Sequence, residues 1–194
     1  MKLSNQAQSR PTKLSLCYTD QFVHQKIGEF IYQWLPKQPT DFVIVCIGSD
    51  RSTGDALGPI TGSLLTKRKQ SNYIVYGTLQ SPIHALNLKK QLKQIDQRHP
   101  DAFVIGIDAC LGKASSIGYI NASIGALKPG LALKKDLPEV GHFHLTGIVN
   151  ATSPVDFLTL QNTRLHLVIQ QAEIISRALL YSEYLYFKEE TASQ

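Results

Sequence analysis

Acidic residues follow two apolar runs of the chain, and they are the residues best suited to do chemistry. Asp50 and Asp55 lie in the loop GSDRSTGDALGP after the run DFVIVCIG, and Asp108 ends the run AFVIGIDA. Two carboxyl groups on adjacent loops can share one proton as an acid/base pair, or bind a cation together. Each acid alone is equally well explained as a capping residue. The pair predicts an acidic site centred on Asp55 and Asp108, with Asp50 as an ordinary turn residue beside it.

Histidine is the second residue type that could take part in this chemistry. GHFHLTG carries two histidines, of which we expect only one, His144, to face the site. A lone histidine is more often a satisfied surface or core residue, but this one begins a strand-like run after a Pro/Gly-rich stretch. His84 in SPIHAL is a weaker candidate for the same neighbourhood. Ser49 and Gly54 belong to the acidic loop, where glycine allows tight turns, and we expect them to support the site or a bound substrate.

The motifs of several other enzyme classes are missing. The loop GSDRSTGDALG matches neither the P-loop pattern nor GxGxxG, and the chain has no GxSxG elbow. A nucleotide-handling enzyme would therefore need an unusual phosphate-sized nest in GSDRSTG. Cys110 follows a strand without an evident paired base, so we expect it to pack or to line the site.

The apolar pattern alternates between strands and helices, and this order predicts where the acids lie. Strands are predicted for DFVIVCIG, NYIVYGT, AFVIGIDA, SIGYINASIGAL and HLTGIVNA. Helices are predicted from Thr19 to Trp34, from Pro59 to Lys69, from Ser81 to Arg98, and from Asp156 or Thr163 to Phe187. KPGLALKKDLPEVG is predicted to be a Pro/Gly-rich excursion, that is, a loop outside the regular strands and helices. The order indicates a three-layer α/β/α domain with a mostly parallel sheet, in which ligands gather beyond the carboxyl ends of the strands.

Length, charge and composition indicate one soluble domain. The chain has 194 residues, of which 43% are hydrophobic and 18% charged, and a net charge of +5. We expect a domain over residues 14–188, a disordered arm over 1–13 and a frayed tail over 189–194. No nucleic-acid motif accompanies the basic cluster Lys67-Arg68-Lys69, so nucleic acid is not an expected partner. Three cysteines without CxxC spacing, and no run long enough for a membrane span, indicate a cytoplasmic protein with no membrane partner.

Between Asp41 and Ala172 the chain resembles the YyaC-type spore protease family of spore-forming Firmicutes. The resemblance is carried by the motifs CIGSDRSTGDALGPITG, YGTLQSPIHALNL, IDACLGK, LKPG, LPEVG, HLTGIVN and LQNTRL. That family is similar to the germination protease, which degrades small acid-soluble spore proteins, and more distantly to hydrogenase-maturation endopeptidases. The resemblance implies the phosphorylase/hydrolase-like fold of the hydrogenase-maturation proteases, with Asp55 and Asp108 as catalytic residues. It also implies that a divalent metal, if one is used, would be bound by Asp55, Asp108 and His144.

Two classes of function follow from these observations. The first is a sporulation-associated peptidase of the mother cell or forespore, in which one of Asp55 and Asp108 activates water and the other protonates the leaving amine. Its substrate would be a protein or peptide, with small acid-soluble spore proteins as candidates. The second is a catalytically silent binding or regulatory protein of sporulation, which would hold an anion or a peptide at the loop glycines and a helix N-terminus. The sequence does not assign the base and the acid between the two aspartates.

Overall fold

Six strands form one mixed sheet with helices on both faces. The computed structural model describes residues 10–38, 40–68, 71–130 and 137–192. The strands are β1 (Lys13–Cys17), β2 (Phe42–Cys46), β3 (Ile74–Tyr76), β4 (Phe103–Gly112), β5 (Tyr119–Ile124) and β6 (Phe143–Ala151). The helices are α1 (Val23–Tyr32), α2 (Leu57–Thr66), α3 (Leu88–Arg98), α4 (Asp156–Gln161) and α5 (Leu165–Ala192). The predicted α/β fold class with a three-layer arrangement is confirmed.

The order of the strands creates a crevice at the carboxyl ends of β2 and β4. The order is β1-β5-β6-β4-β2-β3, in which β3, β2, β4 and β6 are parallel while β5 and β1 are antiparallel to their neighbours. From β2 the chain crosses through α2 to β3 on one side, and then returns through α3 to β4 on the other side. Such a reversal of strand order is where open α/β sheets bind ligands, because the loops on the two sides diverge there.

Apolar side chains from the two faces of the sheet form two clusters that hold the helices. Ile44, Ile105 and Ile107 pack under α1, α2 and α5, whereas Val43 and Val45 pack under α3. All five residues of β2 are buried, as expected for a continuous apolar run in a strand covered on both faces. The helix α5 is 28 residues long, yet neither it nor any other helix in the described ranges is apolar enough to cross a membrane.

Two helices begin later than the apolar periodicity predicts, and in each case a specific contact explains the difference. The prediction that α1 starts with Thr19 or Asp20 as N-cap is wrong, because the Asp20 carboxylate accepts the Cys17 N–H and Phe22 adopts a left-handed φ of 58°. The prediction of helix from Ser81 is also wrong, since residues 81–87 form a loop before α3. The bridge between Ile47 and Ile83 ties this loop to the end of β2.

The ends of the chain also differ in detail from the predicted arm and tail. Lys13 is the first residue of β1, and the Thr12 carbonyl accepts the Ile124 N–H, so residues 12 and 13 of the predicted arm contact the sheet. At the other end, α5 continues to Ala192 and includes most of the predicted tail. Residues 1–9 and 193–194, together with Lys69 of the basic cluster and residues 131–136 of the Pro/Gly-rich excursion, lie outside the described residues.

Candidate functional site

The two aspartates predicted to form the site line one cleft at the crevice between β2 and β4. Asp55 lies in a short 3₁₀ turn, Gly54–Ala56, that connects the loop after β2 to α2. Asp108 lies in β4, in register with Thr146 of β6. The cleft has a volume of about 580 Å³, and both carboxyl groups contribute to its lining. Asp108 is only 9% exposed and Asp55 is half-buried, so both acids are partly withdrawn from water.

Two glycines fix Asp55 against the end of β2. Gly48 has a φ of +144°, and a Cβ at this position would lie 1.9 Å from the Asp55 carbonyl oxygen. That same oxygen accepts the Ser49 N–H at 3.1 Å. A Cβ on Gly58 would lie 2.1 Å from the Ile47 carbonyl oxygen. These contacts require glycine because the loop folds back onto the strand that precedes it.

The other loop residues assigned to the site shape the loop without entering the cleft. Gly54 packs against α4, where a Cβ would lie 2.9 Å from the side chain of Leu160. The Ser49 hydroxyl accepts a backbone N–H within its own loop, and Asp50 is exposed. None of the three lines the cleft that holds the acids. Gly54 therefore packs the loop against α4, and the loop glycines face protein atoms rather than a ligand.

The environments of the two carboxyl groups separate their proton affinities. Burial raises the pKa of Asp108 well above its ordinary value, and the negative charge of Asp55 raises it further. The Ala109 N–H, which donates to Asp108 Oδ1 at 2.8 Å, opposes these effects only in part. Burial also raises the pKa of Asp55, but the positive charge of His84 counteracts it. Asp108 is therefore the acid that keeps a proton, and Asp55 is the one that ionises first.

His84 acts on the site through its charge rather than by lining the cleft. The Gly48 N–H donates to the Ile83 carbonyl at 2.8 Å, which brings the loop before α3 to the loop that carries Asp55. The His84 N–H donates to Asn87 Oδ1 at 2.8 Å and so fixes the backbone at this position. The Nδ1 atom of His84 is buried and has no hydrogen-bond partner in the described parts of the chain. His84 thus modulates the pKa of Asp55, which supports its assignment as a residue of the site's surroundings.

The two histidines of GHFHLTG lie in different places, and His144 is the one that lines the cleft. Its Nδ1 lies 2.9 Å from the Gly125 carbonyl oxygen, so this nitrogen carries a hydrogen and donates. His142 precedes β6 and lies outside the cleft. Its ring stacks on Phe103 at a centroid distance of 5.5 Å, and its Nδ1 accepts the Val104 N–H.

The three residues that the family resemblance implies as metal ligands do not form a metal site in this arrangement. Within the described ranges, no group of three or more His, Cys, Asp or Glu side chains is placed to hold a metal ion. Asp55, Asp108 and His144 line the same cleft, and the bond from His144 Nδ1 to the Gly125 carbonyl leaves Nε2 of His144 free to accept a bond or bind an ion.

Thr146 and Cys110 also line the cleft, and of these two residues only Thr146 was not predicted from the sequence. Thr146 lies two residues after His144 on β6, so both side chains project from the same face of the sheet. Its hydroxyl accepts a bond from Asn121 at 3.4 Å and also contacts the Cys110 thiol. Burial is the main cause that raises the pKa of Cys110 to about 11. Cys110 is therefore a neutral thiol that lines the cleft, in agreement with its predicted role.

Among the described residues that line the cleft, aspartates outnumber lysines. Asp156, in the first turn of α4, accepts the Ser153 N–H at 3.0 Å and also lines the cleft. Lys128 is the cationic residue of the lining, and it forms an ion pair with Glu139 at 3.1 Å. The pairing with Glu139 offsets part of the charge of Lys128, which leaves the carboxylates of Asp55 and Asp156 as the negative groups of the described lining. The sequence predicted Asp156 as a possible helix start but not as a residue of the cleft.

Comparison with known proteins identifies the family of the chain. Residues 15–178 match the family described as "Protein of unknown function (DUF1256)". The chain belongs to this family. It is also 45% identical over 148 residues to "Uncharacterized protein YyaC" of Bacillus subtilis (strain 168), an alignment that covers 76% of this chain and 72% of YyaC. This identity supports the YyaC resemblance carried by the sequence motifs.

A solved structure with some similarity is the NiFe hydrogenase maturation protease HycI from Thermococcus kodakarensis KOD1. The similarity covers 73% of this chain and 93% of that chain, at 16% sequence identity and a TM-score of 0.38. Likeness at this level carries no information about activity.

Proposed function

We propose that this chain is a peptidase-like hydrolase in which Asp55 and Asp108 share one proton. The observation that carries the proposal is the electrostatic coupling of two carboxyl groups in one cleft, in which the charge of Asp55 raises the pKa of buried Asp108. Two carboxyl groups whose surroundings separate their pKa values can work as one acid and one base. Hydrolysis of an amide bond needs both, because water must lose a proton and the leaving nitrogen must gain one.

The pKa directions assign the two roles. Asp55, whose pKa is raised by burial but held back by the charge of His84, is the base and accepts a proton from water as the water oxygen bonds to the carbonyl carbon. Asp108, which keeps its proton, is the acid and donates it to the amide nitrogen as the C–N bond breaks. The proton held by Asp55 then passes to Asp108, and this restores the starting state. The products are a carboxylic acid and an amine.

The substrate class proposed is a protein or peptide, with small acid-soluble spore proteins as candidates. The YyaC-type motifs support this choice through their similarity to the germination protease. A role in sporulation, in the cytoplasm of the mother cell or forespore, is part of the same proposal. The cleft of about 580 Å³ is within the range of sites that hold a small ligand or a short segment of chain.

The alternative of a silent anion-binding protein receives less support from the geometry. The space beside Gly48 and Gly58 is occupied by the protein's own backbone, so no room is left there for an anion. An anion in the cleft would also meet the carboxylate of Asp55 and the acidic side chain of Asp156. A silent peptide-binding protein would use the same cleft, and the presence or absence of cleavage separates it from a peptidase.

The proposal is tested by incubating the purified protein with a small acid-soluble spore protein and identifying products by mass spectrometry. We expect cleavage by the wild-type chain, and at least about 100-fold slower cleavage by Asp55→Asn and Asp108→Asn. Asp50→Asn is the matched control, because it makes the same change in the same loop outside the cleft. Cleavage should also persist in EDTA. Undiminished cleavage by both site variants would show that the acidic pair does not catalyse the reaction.

A further inference from the structure

One edge of β4 is uncovered beyond the point where β2 ends. The last residue of β2, Cys46, pairs with Ile107, whereas β4 continues to Gly112. Residues 105–108 of β4 are buried, but residues 109–112 are only half-buried. In the described part of the chain, residues 108–112 therefore have β6 on one side and no strand on the other.

The backbone hydrogen bonds show which residues of β4 point to the uncovered edge. The Ile107 carbonyl accepts the Ile47 N–H, so the backbone N–H and C=O groups of the odd-numbered residues of β4 point towards β2. The Gly112 carbonyl accepts the Thr152 N–H, so the backbone groups of the even-numbered residues point towards β6. The pairing of β4 with β6 shifts register between Cys110 and Leu111, where β6 carries one extra residue. The directions of Ile107 and Gly112 show that β4 itself keeps its alternation across this shift, so the backbone groups of Ala109 and Leu111 point to the uncovered edge.

Most of these edge groups have no hydrogen-bond partner in the part of the chain that the structure describes. The Ala109 N–H donates to the Asp108 carboxyl group. The Ala109 carbonyl and both backbone groups of Leu111 have no partner among the described residues. An uncovered row of N–H and C=O groups is a template for pairing with another chain.

The acidic cleft runs along this same edge. Ala109, Cys110 and Leu111 all line it, although consecutive residues of a strand project their side chains to opposite faces of the sheet. A single cleft contacts three consecutive strand residues only where it follows the backbone edge. A chain paired with this edge would therefore pass the carboxyl groups of Asp55 and Asp108.

We infer that the β4 edge at Ala109 and Leu111 binds an extended polypeptide segment as an added strand. Main-chain hydrogen bonds would supply recognition, as in other cases of strand addition to a sheet. Leu111, Leu127 and Leu160 in the lining favour aliphatic side chains, and the acidic rim favours basic rather than acidic neighbours. This inference rests on the proposed function only for the cleavage of the segment after it has bound.

The test uses Asp108→Asn protein and a fluorescein-labelled decapeptide of alternating Val and Lys residues, followed by fluorescence polarisation. Asparagine keeps an Oδ1 acceptor for the Ala109 N–H, so the edge is unchanged. Two further peptides carry N-methyl groups on all Val or on all Lys nitrogens. We expect one of them to bind about tenfold more weakly than the parent and the other to bind almost as well, because only alternate N–H groups face β4. A peptide of alternating Val and Glu should bind more weakly.

Equal weakening by both methylated peptides, or no binding of the parent at about 1 mM, would overturn the inference. Amide hydrogen exchange provides a readout that needs no variant of the edge itself. Saturating peptide should slow exchange of the Leu111 amide about tenfold and leave the Cys110 amide nearly unchanged, since the latter faces β6. Alternating binding without cleavage by wild-type protein would refute only the peptidase proposal. Cleavage without alternation would refute only the edge-binding inference.

Discussion

Replacement of Asp108 by asparagine should stabilise the fold near neutral pH while removing the proposed acid. Folding buries this carboxyl group and raises its pKa, so the folded state holds a proton that the unfolded state releases above about pH 3.9. Between about pH 3.9 and the raised pKa of Asp108, the unfolded state binds fewer protons than the folded state, so the free energy of unfolding falls as the pH rises. One proton corresponds to a slope of about 1.4 kcal/mol per pH unit, which ends where the pH passes the raised pKa.

Urea unfolding at several pH values measures this effect. Between about pH 4 and the raised pKa, the free energy of unfolding of Asp108→Asn should gain on that of the wild type by about 1.4 kcal/mol per pH unit. The variant keeps the Oδ1 acceptor for the Ala109 N–H, so the comparison isolates the proton. Asp50→Asn, at an exposed position, should follow the wild type. Parallel pH dependences for wild type and Asp108→Asn would refute the claim that folding raises the pKa of Asp108.

Three further outcomes are expected. The double variant Asp55→Asn/Asp108→Asn should cleave substrate about as slowly as either single variant, because the two groups act as one unit; multiplicative losses in kcat/KM would contradict this. His84→Gln removes the charge that lowers the pKa of Asp55, so the acid limb of the pH profile of kcat/KM should move to higher pH; an unmoved limb would argue against the interaction. Gly58→Ala should lower the free energy of unfolding by about 1–3 kcal/mol, since its Cβ would lie 2.1 Å from the Ile47 carbonyl oxygen, and an unchanged urea midpoint would contradict the packing argument.

The main strands and the two acids could be predicted because their signals are local. The runs that form β2 and β4 are continuous and apolar, which is typical of parallel strands covered on both faces. Once the strands are placed, Asp55 follows the carboxyl end of β2, whereas the prediction that the second strand ends at Asp108 is wrong, because pairing with β6 extends β4 to Gly112. The meeting of the two acids in one cleft depends on β2 and β4 being neighbours, which the order of elements along the chain does not determine, because β3 lies between them in sequence.

The surroundings of the acids could not be predicted because they depend on contacts between distant segments. His84 was predicted to lie in a helix from Ser81, but the pairing of Ile83 with Ile47 holds it in a loop beside Asp55. Apolar periodicity contains no information about such a pairing.

The spacing of the two histidines in GHFHLTG was equally uninformative about which of them lines the cleft. Residues two apart on a strand share one face, so spacing alone cannot separate His142 from His144. They separate because His142 precedes β6 and follows Gly141, whose φ is +82°. The positive φ turns the chain before the strand begins, and His144 is the histidine that the strand carries into the cleft.

The most direct test of the shared proton is a titration of the Asp108 carboxyl carbon by NMR in protein labelled with ¹³C-aspartate. The assignment follows from loss of the signal in Asp108→Asn. The account predicts that Asp108 stays protonated well above the ordinary pKa of aspartate, and that Asp55→Asn lowers the pKa of Asp108, because the charge of Asp55 helps to raise it. An Asp108 signal that titrates near the ordinary value, and that does so equally in Asp55→Asn, would contradict the account.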